Sequence, residues 1–387
     1  MQKKINILMV TGVYFPEVNG AVLQCKRIIS LLKIKVNFIV LTTSRHKNLI
    51  DNDVVDGVDI FRSYSGNSGA KLLQIIKIFS VFFTKRFDIV HLHGFSSRSA
   101  LIVLVSKLFN KKVIIKMTSF GHDDAISIKS KGRLFFYIFS LADFYIGVAP
   151  KFREMYSQSG LNKSEYYQVP NGVDTDLFSP LDGDEEKKRL RYELGLPVDL
   201  NLILVVGHFS VEKSANHVLD AWLKIHKESD NKSGIVFIGN TDKNNFEVDN
   251  DLVNLMHSKS RDFVEDKIFF VEKTNNIEQY YQAADVYILS SAREGLPNTL
   301  LEAMSCALPV ISTRLEGVTD WVINHKVNGM MYDYGDIDNL KLLLENLLQD
   351  DNLCMCLGLN ARKTIKDNFE ISATTENIYD IYKDCMC

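Results

Sequence analysis

The sequence predicts an α/β protein whose two domains are each a doubly wound parallel sheet. The chain has 387 residues, a length that suits two domains of ordinary size. Hydrophobic residues make up 46% of it, which is enough to fill two cores. In both halves, short apolar runs rich in β-branched residues alternate with helical patterns, as is typical of parallel sheets covered by helices. We therefore expect two Rossmann-like domains that face each other across a cleft, with ligand at the carboxyl ends of the strands.

The apolar runs set the order of the predicted elements. In the first half we expect strands at residues 6–10, 36–41, 89–92, 113–117 and 144–148. In the second half we expect strands at residues 202–206, 235–238, 268–271, 286–289 and 310–312. The boundary between the domains is predicted after Phe178, and the last helical pattern covers residues 371–382.

Residues 290–304 carry the strongest indication of a binding site. A buried strand is expected just before this segment, Gly295 and Pro297 break it, and a helical pattern follows. A helix that begins at a strand end directs backbone N–H groups and its positive dipole end at a ligand, which suits a diphosphate. Glu294 lies in the turn and Glu302 lies inside the helix. The two carboxylates can therefore accept hydrogen bonds from different hydroxyls of one extended ligand.

Glu294 and Glu302 are separated by seven residues and are followed by Ala-Met-Ser-Cys-Ala-Leu-Pro-Val-Ile. This pattern resembles the retaining nucleotide-sugar glycosyltransferases of the GT-B fold, glycosyltransferase family 4 or glycosyl transferases group 1. Three further segments resemble that family in its own order: the first strand and Gly-containing loop at 5–21, the interdomain signature at 169–178, and the diphosphate loop at 205–213. Four ordered segments make a chance match improbable, and they span nearly the whole chain.

The resemblance implies a retaining enzyme that moves a hexose from a UDP- or GDP-sugar to a lipid-linked or polysaccharide acceptor. Such enzymes assemble cell-surface glycans, including lipopolysaccharide and capsule. It also implies that residues 1–178 bind the acceptor, that residues 179–370 bind the donor, and that the helix in 371–387 returns to the first domain. The nucleotide-sugar is a substrate, and no metal or other cofactor is expected.

By the same resemblance, Lys213 contacts the donor diphosphate and is a catalytic residue together with Glu294, which contacts the donor sugar. Glu302 is implied to hold the ribose. His208 stands where the family usually has Arg, and a neutral imidazole donates one hydrogen bond without the guanidinium fork, so donor binding should be weaker or pH-dependent. Further donor contacts through backbone N–H groups are implied for the turn residues Gly295, Leu296, Pro297, Asn298 and Thr299 and, from the first domain, for Asn19 and Gly20.

A catalytic residue from the first domain is also implied, because the family usually has a His just after the strand that here ends near Thr118. This chain has His122 and Asp123 a few residues further on. Either side chain can orient the donor or the acceptor hydroxyl. His91 and His93, at the end of an earlier strand, are expected to be structural.

Charge is distributed unevenly, although the formal net charge is only −3. Residues 1–178 contain 24 Lys and Arg against 13 Asp and Glu, a net of +11, and the remainder carries −14. Segment 69–86 places four cations on an otherwise apolar helix. This pattern is typical of a helix on an anionic membrane surface, but a core helix of an α/β domain is equally apolar. The basic segment 129–133, before an aromatic run, is a second and weaker candidate.

These features define the expected location and partners. Spanning a membrane takes roughly 18 consecutive apolar residues, and no run reaches that length. We expect a cytoplasmic protein, peripheral on the inner face of the cell membrane, that binds no nucleic acid. Asp174 and Asp176 belong to the interdomain signature and offer too few converging oxygens for a metal site. The six cysteines match neither a zinc framework nor a disulfide scaffold.

Two other functions share the predicted fold. A non-hydrolysing nucleotide-sugar 2-epimerase would need no acceptor. A non-catalytic partner subunit would keep the fold without turnover, and His208 makes this conceivable. Retention of Lys213, Glu294 and Glu302 favours the transferase.

Overall fold

The computed structural model describes residues 4–49, 51–66, 69–161, 165–228, 232–240, 248–261, 267–272 and 274–386. Packing divides the chain into two compact units, one of Met1–Gly172 with Ile371–Cys387 and one of Val173–Glu370. The first unit thus ends before the predicted boundary after Phe178. The reason is local, because the Phe178 carbonyl accepts a hydrogen bond of 2.6 Å from Ser305 Oγ of the second unit.

Each unit is built on one sheet. In chain order the strands are β1 Ile5–Val10, β2 Val36–Ser44, β3 Asn52–Val55, β4 Val58–Tyr64, β5 Ile89–His93, β6 Lys112–Met117, β7 Phe144–Gly147, β8 Glu165–Gln168, β9 Asn201–Val206, β10 Ser233–Ile238, β11 Ile268–Val271, β12 Val286–Leu289, β13 Val310–Thr313 and β14 Met330–Tyr332. The first sheet has the order β3-β4-β2-β1-β5-β6-β7-β8, and the second has the order β11-β10-β9-β12-β13-β14. All neighbouring strands are parallel except β3 and β4.

Helices connect the strands in both units. They are α1 Gly20–Leu32, α2 Ala70–Thr84, α3 Ser97–Leu108, α4 Ala125–Ser130, α5 Arg133–Phe139, α6 Pro150–Ser159, α7 Asp184–Glu193, α8 Ala215–Glu228, α9 Asn250–Arg261, α10 Ile277–Ala283, α11 Asn298–Ser305, α12 Thr319–Val322, α13 Ile337–Gln349, α14 Asp351–Asn368 and α15 Ile371–Asp384. Over the described ranges, no helix combines the length and apolarity that crossing a membrane requires.

The predicted strands are confirmed, and so is the α/β class. All ten apolar runs are strands, and nine of them are buried along most of their length, whereas β11 has only Ile268 fully buried. The sheets extend further at their edges through β3, β4, β8 and β14, which are short or partly polar. The antiparallel β3–β4 pair turns at Asp56 and Gly57, which have φ values of 51° and 83°. An Asp-Gly pair is a strong hairpin signal, so this turn was visible in the sequence.

Each unit has its own hydrophobic core. In the first unit, Ile378, Ile381 and Tyr382 of α15 are buried in the same cluster as residues of β1 and α1. In the second unit, Trp222 of α8 is buried and its indole N–H donates to Ser233 Oγ at 3.0 Å. Two separately packed sheets result, and both present loops at the carboxyl ends of their central strands.

Candidate active site

The site in the second unit begins with a close approach of two loops, one after β9 and one after β10. The Gly207 N–H donates to the Ile238 carbonyl at 2.9 Å. A Cβ atom added to Gly239 would lie 1.9 Å from the Gly207 carbonyl oxygen. Only glycine fits at position 239, and the backbone contact holds the start of the loop that carries His208 and Lys213.

Lys213 and Glu294 meet across this edge of the sheet. Lys213 Nζ donates to Glu294 Oε1 at 2.6 Å, and Ser291 Oγ donates to the same oxygen at 2.7 Å. The Glu294 side chain is 10% exposed and the Lys213 side chain is 31% exposed. Both hydrogen bonds engage Oε1, so Oε2 is the atom that would contact a ligand. Ser291 was not among the predicted site residues, although it lies within the motif.

Backbone contacts hold the two halves of this ion pair in place. The Ala292 N–H donates to the Glu212 carbonyl at 2.7 Å, and Ser290 Oγ donates to the Lys213 carbonyl at 2.8 Å. Thr313 Oγ1, at the end of β13, donates to the Ser291 carbonyl at 2.7 Å. The loop after β9 and the turn after β12 therefore form one rigid frame.

The turn leads directly into α11. Pro297 is the residue before the helix and makes no side-chain hydrogen bond to the first turn. Because proline has no backbone N–H, Pro297 shapes the turn and cannot donate to a phosphate, which corrects the prediction that every turn residue offers such a group. Thr299 Oγ1 accepts a hydrogen bond of 2.8 Å from the Tyr287 hydroxyl. Gly295 and Leu296 are buried in the turn, and Asn298 begins the helix.

Glu302 lies one turn into α11 and is 4% exposed. The Tyr281 hydroxyl donates to Glu302 Oε2 at 3.2 Å. Burial, together with the charge of Glu302, raises the pKa of Tyr281 well above its usual value, so this hydroxyl keeps its proton. A buried carboxylate held by a permanent donor is a preorganised acceptor for hydroxyls. No sequence motif points to Tyr281, which comes from α10.

His208 and Ser214 occupy the loop after β9. His208 is half-buried next to Gly207, and its carbonyl accepts from the Ser210 N–H at 2.9 Å. Ser214 has a φ of 49°, in the left-handed region that favours glycine. Its hydroxyl lies 2.9 Å from the Tyr334 hydroxyl, which holds the last residue of the loop.

In the first unit, Asn19 and Gly20 begin α1. Asn19 Oδ1 accepts from the Val22 N–H at 3.0 Å, so the Asn19 side chain caps the helix. Gly20 is the first helical residue. The predicted donor contact at this point would therefore come from the backbone and the helix N-terminus.

His122 and Asp123 differ in their surroundings. Asp123 is 4% exposed, and its carboxylate accepts from the backbone N–H groups of Thr118 and Ser119 at 3.0 and 2.8 Å and from Thr118 Oγ1 at 2.9 Å. Burial raises the pKa of Asp123 to about 6. His122 is exposed, and its carbonyl accepts from Lys131 Nζ at 2.7 Å. Asp123 thus holds its own loop, whereas His122 is an exposed residue of that loop.

His91 and His93 lie in the interior of the first unit, as a structural role requires. Their ring centroids are 4.6 Å apart, and His91 Nδ1 lies 2.7 Å from the Tyr382 hydroxyl. Lys116, which is 1% exposed, is close enough to help burial lower the pKa of both histidines. Among the described residues, no group of three or more His, Cys, Asp or Glu side chains could hold a metal ion.

Comparison with known proteins shows what the chain is similar to. Residues 186–364 match the family model described as glycosyl transferases group 1, and this range includes Lys213, Glu294 and Glu302. The matched region lies within the second unit. The fold of the chain is GT-B. It superposes on a sucrose-phosphate synthase from Thermosynechococcus elongatus with a TM-score of 0.82, at 18% identity and over 99% of each chain.

Curated relatives of the chain are similar over different lengths. The N-acetyl-alpha-D-glucosaminyl L-malate synthase of Bacillus anthracis is 25% identical over 305 residues, which is 77% of this chain and 75% of the relative. An Escherichia coli enzyme named UDP-Gal:alpha-D-GlcNAc-diphosphoundecaprenol alpha-1,3-galactosyltransferase is 26% identical over 223 residues. That match covers 56% of this chain and 54% of the relative.

Proposed function

We propose that the second unit binds a UDP- or GDP-sugar and that the enzyme transfers the hexose, with retention of configuration, to a glycan or lipid-linked acceptor. The observation that carries the proposal is the 2.6 Å contact between Lys213 and Glu294. The contact places the Lys213 cation beside the carboxylate of Glu294, which lies four residues before the start of α11. Glycosyl transfer from a nucleotide-sugar needs both groups, one for the departing diphosphate and one for the sugar.

The proposed roles follow from where charge develops. As the bond between the anomeric carbon and the diphosphate oxygen breaks, negative charge grows on the diphosphate. The Lys213 ammonium and the backbone N–H groups around Gly295 and Asn298 offset this charge, and His208 adds a hydrogen bond. Because these groups already supply positive potential, we propose that the reaction needs no metal. Glu294 Oε2 accepts from donor-sugar hydroxyls, and Glu302 accepts from the ribose.

On the acceptor side, the surroundings of the two candidate residues favour different roles. We propose that Asp123 positions the loop that follows β6, since its carboxylate is buried and accepts from that loop. His122, which is exposed, is the residue proposed to contact the acceptor or the donor. The name of the E. coli relative combines a UDP-sugar with a lipid-linked acceptor, and this supports a role in cell-surface glycan assembly. We further propose that the enzyme works on the cytoplasmic side of the membrane, where the basic first half meets anionic lipid.

Calorimetric titration with UDP, GDP and ADP, with and without chelator, tests the donor site. We expect one diphosphate to bind selectively, binding to be indifferent to chelator, and Glu302→Ala to abolish it. Glu185→Ala is the matched control, because Glu185 is an exposed acid of the same unit, with a side chain that is 89% exposed. Binding of none of the three would contradict the donor site and favour a non-catalytic subunit.

Turnover with the selected nucleotide-sugar then separates the enzyme classes. The transferase should release nucleotide diphosphate rapidly only when an acceptor is present, and the anomeric configuration of the product should match that of the donor. Conversion of the nucleotide-sugar to its 2-epimer without any acceptor would overturn the proposal. Product analysis by NMR distinguishes these results.

A further inference from the structure

Helix α2 leaves most of its apolar side chains outside the core of the first unit. Ala70, Ile78, Val81 and Phe82 are buried. The exposed apolar residues of the helix are Leu72, Leu73, Ile75, Ile76 and Phe83, with Leu72 64% exposed and Phe83 73% exposed. Core packing therefore accounts for only one side of the helix in segment 69–86. A contiguous apolar surface of this kind usually marks a binding site.

These side chains form a continuous stripe. Leu72, Ile76, Phe79 and Phe83 follow one another at spacings of four, three and four residues, which places them on one face of the helix. The Phe83 ring meets the Phe109 ring edge to face at 5.0 Å. Leu108 ends α3, directly before Phe109 in the sequence, and is 75% exposed. We call the set Leu72, Leu73, Ile76, Phe83 and Leu108 the α2 patch.

Exposed cations flank the α2 patch. Residues 60–122 contain ten Lys and Arg and a single acidic residue, Asp88, although Lys85 pairs with Asp59 just outside this range. The Asp88 carboxylate accepts from the backbone and side-chain N–H groups of Asn6 at 3.0 Å, so it is committed within the unit. Lys71 and Arg86 are exposed at the two ends of α2. An apolar stripe flanked by cations suits the surface of a bilayer, where anionic headgroups cover an apolar layer of acyl chains.

We propose that the α2 patch is the face by which this enzyme docks on an anionic phospholipid surface. This inference names the residues behind the membrane association in the proposed function, and it rests on that part of it. Leu72, Ile76 and Phe83 enter the boundary between headgroups and acyl chains, while Lys71 and Arg86 contact lipid phosphates. A second copy of the chain is a poorer occupant, since pairing two copies of the same basic region places like charges together.

Docking through α2 fixes which unit meets the lipid. The α2 patch belongs to the unit proposed to bind the acceptor, so a lipid-linked acceptor would be presented from the same surface on which the enzyme lies. The lipid need not be the substrate, because the proposed contacts engage headgroup phosphates of the bulk bilayer.

Cosedimentation of the full chain with vesicles tests the docking face. The probes are phosphatidylcholine vesicles with and without about one third phosphatidylglycerol. We expect binding only to the anionic vesicles, at least tenfold weaker binding for Leu72→Ser/Ile76→Ser/Phe83→Ser, and a comparable loss for Lys71→Glu/Arg86→Glu. The control Leu342→Ser/Leu359→Ser removes two exposed leucines of the second unit and should bind as the wild type does.

Three results would overturn the proposal. They are unchanged vesicle binding by the triple variant, equal binding of neutral and anionic vesicles, and a wild-type dimer that the triple variant converts to monomer without any lipid binding in either protein. Nucleotide diphosphate titration of every variant keeps this test separate from the donor site. A variant that binds nucleotide but not vesicles shows that its fold is intact. Failure of nucleotide binding in all proteins contradicts the donor site and leaves the vesicle result valid.

Discussion

At the scale of single residues, the proposed chemistry depends on Lys213 and Glu294. These two side chains come from loops after different strands, and the ion pair sets the direction of both. Because the Lys213 side chain is 31% exposed, the pair contributes little to folding, and its value is in preorganisation. A change at either residue should therefore lower activity and have little effect on the free energy of unfolding.

We predict that Lys213→Ala and Glu294→Gln each lower kcat/KM by about 100-fold or more, the usual effect of losing a group that stabilises developing charge. The free energy of unfolding should change by less than about 1 kcal/mol. Steady-state kinetics and denaturant unfolding measure the two effects. Lys224→Ala is the control, since Lys224 pairs with Asp338 in the same unit away from these loops. Full activity in both site variants would contradict the assignment.

Variants of His122 and Asp123 should differ in which property they lose, one in activity and the other in stability. His122→Ala is predicted to lower kcat with the unfolding free energy unchanged, because the ring is exposed. Asp123→Asn is predicted to cost about 1–3 kcal/mol of stability, because its amide N–H₂ would face backbone donors that the carboxylate now satisfies. Kinetics and thermal unfolding of both variants decide the roles. A stable Asp123→Asn protein with lost activity would instead make Asp123 the reacting group.

At the scale of elements, the proposed donor site depends on close backbone approach between loops. The loop after β9 is held against the loop after β10 through Gly207 and Gly239. A similar approach occurs further along the unit, where a Cβ atom on Gly358 of α14 would lie 2.0 Å from the Ala307 carbonyl oxygen. Ala307 itself has a φ of 59°. Glycines here permit packing that no side chain would allow.

We predict that Gly239→Ala lowers the unfolding free energy of the second unit by about 1–3 kcal/mol, because the added methyl group forces the two loops apart. Nucleotide diphosphate affinity should fall as well, since Lys213 lies on the displaced loop. Unfolding curves and calorimetric titration measure both. Gly183→Ala is the matched control, because a Cβ atom there meets nothing within 4 Å. Wild-type affinity in Gly239→Ala would show that the loop contact is dispensable.

The elements themselves were largely predictable. Central strands such as β1 and β9 are apolar runs buried by neighbours on both sides, so their sequences alone indicate them. Edge strands such as β8 and β14 are short, and β8 begins with Glu165 and ends with Gln168, so their pairing depends on a neighbouring strand. The helix after Pro297 was expected because proline and glycine mark its start.

At the scale of the whole molecule, the first unit contains an acid-sensitive interior. His91 and His93 are buried beside Lys116, and the Tyr382 hydroxyl of α15 contacts His91. Burial lowers the pKa of His91 to about 3 and that of His93 well below its usual value. The folded unit therefore binds these protons less readily than the unfolded chain does. Stability is full above about pH 6.5 and is lost as the pH falls below that value.

We predict that the unfolding free energy of the first unit falls between pH 6.5 and about 3, by up to about 1.4 kcal/mol per pH unit for each histidine. His93→Leu should flatten this slope and remain stable at pH 7, because neither ring nitrogen of His93 has a hydrogen-bond partner among the described residues. Denaturant unfolding at several pH values measures the slope of the unfolding free energy against pH. The exposed His46, changed to Gln, should leave the slope unaltered.

The sequence by itself determined the α/β class, the ten central strands, the resemblance to group 1 glycosyltransferases, and the candidate residues of the proposed donor site, because each depends on local pattern or on ordered motifs. Only the tertiary structure decided which candidates meet. Lys213 and Glu294 are 81 residues apart in the chain, and the Tyr281 contact with Glu302 has no local signature. It also decided that Asp123 is buried and His122 exposed, and that α2 presents an uncovered apolar face. Burial and long-range contact arise from packing between elements, which periodicity along one element does not encode.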